Sequence, residues 1–61
     1  MKTDDKVRFK RADVTGTGII LGLAQDHLLR YWIVKLDEPI NFDNQLYKAI
    51  VFPESELTKI E

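Results

Sequence analysis

Cysteine is missing from this chain of 61 residues, and histidine occurs once, at His27. The first absence excludes disulfide bridges and thiolate metal ligands, and a single imidazole cannot build a metal site alone. We therefore expect no metal and no cofactor. Domains this small often depend on disulfides, a metal or a partner chain for stability, so contact between copies is the support that remains.

Long apolar runs are absent as well. No stretch approaches the roughly 20 residues that a membrane-spanning helix requires. No apolar segment of the signal-peptide type follows the polar start, Met1–Asp5. We expect a soluble, cytoplasmic protein with no membrane partner, and the lack of cysteine fits a reducing compartment.

Neither sign of charge dominates, because the formal net charge is −1. This balance argues against a general polyanion binder, since such domains are usually strongly basic. The charge is unevenly spread, with a net +3 over residues 1–11 and a net −4 over residues 37–61. Copies could pair head to tail through these two ends, although two ordinary solvated faces would give the same pattern.

The pattern that is present is that of short strands. Residues 6–10 alternate charged and apolar side chains, and residues 31–36 are rich in aromatic and β-branched types. Similar signals over 17–24, 48–52 and 57–60 predict five strands, with a single 3₁₀ turn near 53–56. No helical period occurs, so we predict one all-β domain over 1–61, a five-stranded small barrel. Its longer connections would cover 11–16, 25–30 and 40–47.

Alternation also predicts which side chains are buried. The core should contain Val34 and Leu36 from the third strand, Val7 or Phe9 from the first, and Leu57 from the last. In the second strand it assigns Ile19 and Leu21 to the core. Ile20 and Ile33 then lie on the outer face, where apolar surface too large for a monomer predicts self-association into a homo-oligomer.

Four segments carry a resemblance to known small barrels: Asp5-Lys6-Val7-Arg8, Gly18-Ile19-Ile20-Leu21-Gly22, Trp32-Ile33-Val34-Lys35-Leu36-Asp37, and Val51-Phe52-Pro53 followed by Leu57 and Ile60. Their order resembles the SH3-like barrel superfamily, which includes KOW-type nucleic-acid-binding domains and small barrel subunits of photosynthetic complexes. The chain is also similar to the type II dihydrofolate reductases over most of residues 5–60, which implies an SH3-like fold and a symmetric oligomer.

The reductase chemistry does not carry over with that resemblance. Those enzymes line a central pore with a lysine from the first strand and a Gln-Ile-Tyr run from the fourth. The matching positions here are Phe9 and Ile50–Phe52, so the polar contacts to cofactor and substrate are gone. We expect no reductase activity, and an oligomeric enzyme related to this family is only a third alternative.

Candidate site residues fall into two groups, neither of them catalytic, because His27 has no nucleophile or acid at motif spacing. The aromatic residues Tyr31, Phe42 and Tyr47 could form a groove for a peptide, or they could simply pin the chain. The second group, Lys6, Arg8, Lys10 and Arg11, could track a phosphate backbone or face water. The sequence thus predicts a non-enzymatic binding or assembly module with a protein partner; a KOW-like nucleic-acid binder is the alternative.

Overall fold

A single antiparallel sheet of five strands contains most of residues 1–60, which are the residues that the computed structural model describes. The strands are β1 (Lys6–Arg11), β2 (Val14–Asp26), β3 (Arg30–Phe42), β4 (Gln45–Pro53) and β5 (Leu57–Ile60), with a 3₁₀ turn over Glu54–Glu56. Their spatial order is β4-β3-β2-β1-β5, so the sheet stays open between two edge strands. The predicted all-β fold, with one 3₁₀ turn before the last strand, is confirmed and is compatible with a small barrel.

Helices long and apolar enough to cross a membrane do not occur in the described part of the chain. Two of the three hairpin connections are much shorter than the sequence predicted, since two-residue turns replace the expected loops over 11–16 and 40–47. Asp43 and Asn44 have φ of 53° and 62°, the left-handed conformation that tight hairpins require and that Asp and Asn tolerate. The polar residues within 11–16 and 40–47 therefore belong to two-residue turns and to the ends of the strands beside them.

Strand β3 also continues to Phe42, past Pro39 and well beyond the predicted strand signal over 31–36. The pairing of β3 with β4 breaks between Lys35 and Ile40 and resumes from Ile40 to Phe42. Because no ladder bond is made at the break, proline costs nothing there by lacking an N–H. The resumed pairing holds Ile40, whose partly buried side chain packs against the core.

The core consists of eight buried apolar side chains from all five strands: Val7, Phe9, Ile20, Trp32, Val34, Leu36, Phe52 and Leu57. The predicted burial of Val34, Leu36, Val7, Phe9 and Leu57 is confirmed. Trp32 also belongs to this core, and its indole Nε1 donates a hydrogen bond to Glu54 Oε1 at 3.0 Å. That bond satisfies the indole and ties the 3₁₀ turn to β3.

The predicted core face of β2 is wrong by one residue. Ile20 is fully buried, whereas Leu21 is exposed and Ile19 is only partly buried. Both faces of this strand are apolar, so the alternation of side chains does not show which face is buried. A register shift of β2 against β3 after Ile20 also interrupts the alternation. Gly18 determines which face of β2 is buried, because its inward position lets β2 approach β3 more closely than any residue with a side chain could.

Candidate functional site

An open apolar groove lies between the β1–β2 and β3–β4 hairpins, at one end of the sheet. Its volume is about 620 Å³, within the range of about 300–1,000 Å³ that is typical of ligand sites. We call it the hairpin groove. It is lined by Phe9, Arg11, Ala12, Val14, Ile40, Phe42, Tyr47, Ala49, Ile50, Val51 and Phe52.

The floor of the hairpin groove is a fixed aromatic pair. The rings of Phe9 and Phe52 are buried and stacked, with centroids 4.7 Å apart and planes at 23°. They meet because β1 and β4 both turn these side chains inward across the open part of the sheet. Such a pair gives the groove a rigid apolar base.

Arg11 holds one end of this floor in place. Its guanidinium carbon lies 4.6 Å from the centre of the Phe52 ring, a cation–π contact. Nη2 donates to the Val51 carbonyl oxygen at 3.2 Å, and Nε donates to Glu56 Oε1 at 3.1 Å. Arg11 is therefore the one charged residue in the groove wall, and its charge is already matched by Glu56.

The rim of the groove is apolar and exposed to solvent. Phe42 keeps 69% of its surface exposed at the end of β3, and Val14 keeps 46% at the start of β2. Tyr47 lies across the hairpin, paired with Ile40, and its hydroxyl donates to Gln45 Oε1 at 2.9 Å. Phe42, Val14 and Tyr47 all line the groove, so an apolar side chain that enters it meets an apolar and aromatic rim.

A polar extension continues the groove along β2 and β3. It has a volume of about 330 Å³, shares Phe9, Val14 and Ile40 with the hairpin groove, and adds Asp37 and Glu38. The Thr17 hydroxyl donates to Asp37 Oδ2 at 2.6 Å, and Lys6 Nζ lies 3.7 Å from the same oxygen. Glu38 makes no ion pair within residues 1–60, so this end of the groove is acidic.

The predicted aromatic groove is thus only partly assembled. Phe42 and Tyr47 lie together in the hairpin groove, but Tyr31 is wrong as a member of it. Tyr31 pairs with Gln25 and Pro53, at the opposite end of β3. The prediction placed Tyr31 beside the connection over 40–47 because the third strand and that connection often face one another in SH3-like barrels. Here the connection is a hairpin at the other end of β3 from Tyr31.

Sequence reasoning missed Val14, Ile40 and the wall function of Arg11. Val14 and Ile40 fell inside segments interpreted as loops, so their facing positions could not be seen. The alternation of side chains along a strand could have predicted the position of Arg11, because residues 7, 9 and 11 lie on the same face of β1. Arg11 therefore turns toward Phe52 and separates from the other basic residues.

The remaining basic residues project from the outer face of β1. Arg8 lies between Thr17 and Thr58, and Lys6 lies in a row with Ile19 and, one strand further, Lys35. Lys6 is engaged with Asp37, whereas Arg8 and Lys10 make no ion pair within the described residues. The predicted four-residue basic set is therefore split, with Arg11 on the opposite face.

The predicted self-association pair is also split. Ile20 cannot contact another copy, because its side chain is fully enclosed in the core, and this part of the prediction is wrong. Ile33 does face outward, partly buried between Gly22 on β2 and Val51 on β4. Leu21 and Val51 are exposed apolar neighbours on that face.

Comparison with protein-family models, with curated proteins and with solved structures finds no match for this chain.

Proposed function

We propose that this protein is a non-enzymatic protein-binding module that holds an apolar segment of a protein partner in the hairpin groove and also associates with itself. The observation that supports this best is Phe42, a large aromatic side chain mostly exposed at the rim of an apolar groove of about 620 Å³. Contiguous exposed apolar surface of this kind marks interaction sites. We also interpret the open five-stranded sheet as an SH3-like barrel.

The construction of the groove favours binding. Its base is buried and stacked, and Arg11 packs over the Phe52 ring while it donates hydrogen bonds to the Val51 carbonyl oxygen and to Glu56. A floor that is ordered before the partner arrives loses little conformational entropy on binding. The exposed rim residues Phe42 and Val14 can then supply most of the new buried area.

Replacing Phe42 with glutamate tests the groove directly. We expect Phe42→Glu to weaken binding of short peptides, selected on the wild-type protein from a random synthetic library, by at least about 30-fold, the change typical of an interface hot spot. A charge at the rim would be desolvated by any apolar ligand. Affinity is measured by fluorescence anisotropy with the labelled peptides.

The matched control is Leu46→Glu. Leu46 is exposed to a similar degree, 61% against 69% for Phe42, and lies on the same hairpin but outside the groove wall. We expect Leu46→Glu to bind the selected peptides as the wild type does. Equal loss in both variants, or in neither, would remove the groove from the proposal.

Nucleic acid is the competing ligand class, favoured only by the unpaired Arg8 and Lys10 on the outer face of β1. We expect no measurable binding of single- or double-stranded DNA or RNA at physiological salt, because phosphate contacts weaken steeply with salt and the chain carries a net charge of −1. Filter binding over a salt series measures this. Micromolar affinity that Arg8→Ala or Lys10→Ala reduces would put the nucleic-acid function first.

A further inference from the structure

The turn between β2 and β3 presents two leucines to solvent. Leu28 is 98% exposed and Leu29 is 61% exposed. The turn is tight, since the His27 N–H donates to the Leu29 carbonyl oxygen at 3.4 Å. We call residues 26–30 the leucine tip. Neither leucine contributes to the core, and a pair of apolar side chains held out at a turn is a feature of contact surfaces.

The leucine tip and the hairpin groove lie at opposite ends of the molecule. Strand β2 begins at Val14, in the groove wall, and ends at Asp26, in the tip; β3 begins at Arg30 and ends at Phe42. The longest dimension of the protein is 31 Å. A tip therefore cannot reach the groove of its own chain, but it can reach that of another.

We propose that the leucine tip of one copy occupies the hairpin groove of a second copy. This rests on the proposed function of the groove as a protein-binding site. The groove is apolar and roomy enough for two leucine side chains, and Leu28 and Leu29 are both exposed at the turn. A contact between two different surfaces of the same chain produces a ring, a chain of copies or a reciprocal pair.

One side chain at the edge of each surface can form a charged hydrogen bond across the contact, although Arg30 is already in an ion pair with Asp26. Arg30 follows the two leucines and contacts Asp26 through Nε alone, at 3.3 Å. Its terminal nitrogens have no hydrogen-bond acceptor within the described residues. Glu38, in the polar extension beside Ile40, is likewise without a cation there. An arginine beside the bound leucines can therefore meet a free carboxylate, which would fix the orientation of the tip.

A complementation experiment tests this contact. Leu28→Asp with Leu29→Asp destroys the tip and leaves the groove intact; Phe42→Glu damages the groove and leaves the tip intact. We expect the wild type to sediment as a species heavier than the 7.1 kDa chain and each variant alone as a monomer. An equimolar mixture of the two should restore a species of about twice the chain mass, because one tip and one groove remain compatible.

Two controls keep the test independent of folding and of the peptide-binding proposal. All substituted side chains are mostly exposed, and circular dichroism should confirm that both variants keep the wild-type spectrum. Leu46→Glu should assemble as the wild type does. A wild type that stays monomeric while its groove still binds the selected peptides would overturn the tip contact and leave the proposed function standing.

Three other results would also overturn it. The mixture of monomeric variants could fail to associate, which would indicate a symmetric contact between like surfaces. Association could survive both variants and be lost only in Ile33→Glu, which would place the contact on the outer face. A monomeric wild type could bind phosphatidylcholine vesicles and lose that binding in the tip variant, which would make the tip a membrane element.

Discussion

Phe52→Ala is expected to lower the free energy of unfolding by about 3–5 kcal/mol. Phe52 is fully buried, stacks on Phe9 and lies under the Arg11 guanidinium. Removing the ring opens a cavity at the centre of the core and leaves Arg11 without its aromatic contact. A domain of this size has a total stability of the same order, so much of the protein should unfold at room temperature.

Urea denaturation at fixed protein concentration measures this change, and Val51→Ala is the matched control. Val51 is the neighbour of Phe52 on β4 and also lines the hairpin groove, but it is 43% exposed and does not belong to the core. We expect the control to cost no more than about 1 kcal/mol, the range of strand propensity. Similar midpoints for the two variants would show that the core is not built around Phe52.

Gly18→Ala is expected to disrupt the pairing of β2 with β3. A methyl group at Gly18 would lie 2.5 Å from the Lys35 carbonyl oxygen and 2.6 Å from Val34 Cγ1. One of these atoms belongs to the backbone and cannot rotate away, so the strands must separate. We expect a loss at or above the upper end of the about 1–3 kcal/mol typical of overpacking.

Gly22→Ala provides the opposite result in the same strand. Apart from its two chain neighbours, no residue of 1–60 has an atom within 4 Å of the methyl group that this substitution adds, and no glycine in that range has a positive φ. We expect Gly22→Ala to be neutral or to stabilise the protein by about 0.4–1 kcal/mol, through a less flexible unfolded state. Thermal unfolding of both variants separates them; equal melting temperatures would mean that β2 does not approach β3 as described.

Sequence patterning was sufficient for the strands whose two faces differ chemically. In β1, Lys6, Arg8 and Lys10 alternate with Val7 and Phe9, so only one inward face is compatible with burial. In β3, Lys35 identifies the solvent-exposed face, and its neighbours Val34 and Leu36 therefore point to the buried face. The order of polar and apolar residues alone predicts which face of each of these strands is buried, and the sequence also predicts the 3₁₀ turn before β5.

The same reasoning failed where both faces are apolar. In β2, Ile19, Ile20 and Leu21 are consecutive, and hydrophobicity cannot choose among them. The choice depends on the closeness of Gly18 to Val34 and on the register shift after Ile20, both of which are properties of the paired strands. For this reason, the prediction that Ile20 lies on the outer face and contributes to self-association is wrong.

The sequence identified only some of the residues that line the candidate groove. Phe42 and Tyr47 stood out as aromatics near one connection, but Val14 and Ile40 did not. Ile40 is paired because Asp43 and Asn44 make a two-residue turn between β3 and β4, and Val14 is paired because Ala12 and Asp13 make one between β1 and β2. Each turn converts an apparent loop into a hairpin. Turn conformation, which two consecutive polar residues specify only weakly, therefore decided the geometry of the site.

Intermolecular spin-label broadening tests most directly whether the hairpin groove of one copy holds the leucine tip of another. The chain has no cysteine, so His27→Cys accepts a nitroxide at one defined position beside Leu28. This copy, without isotope label, is mixed with wild-type protein labelled with nitrogen-15. We expect broadening of the amide signals of Ala12, Val14 and Phe42, which line the groove. Broadening confined to Leu21 and Ile33, or none at all, would contradict the account.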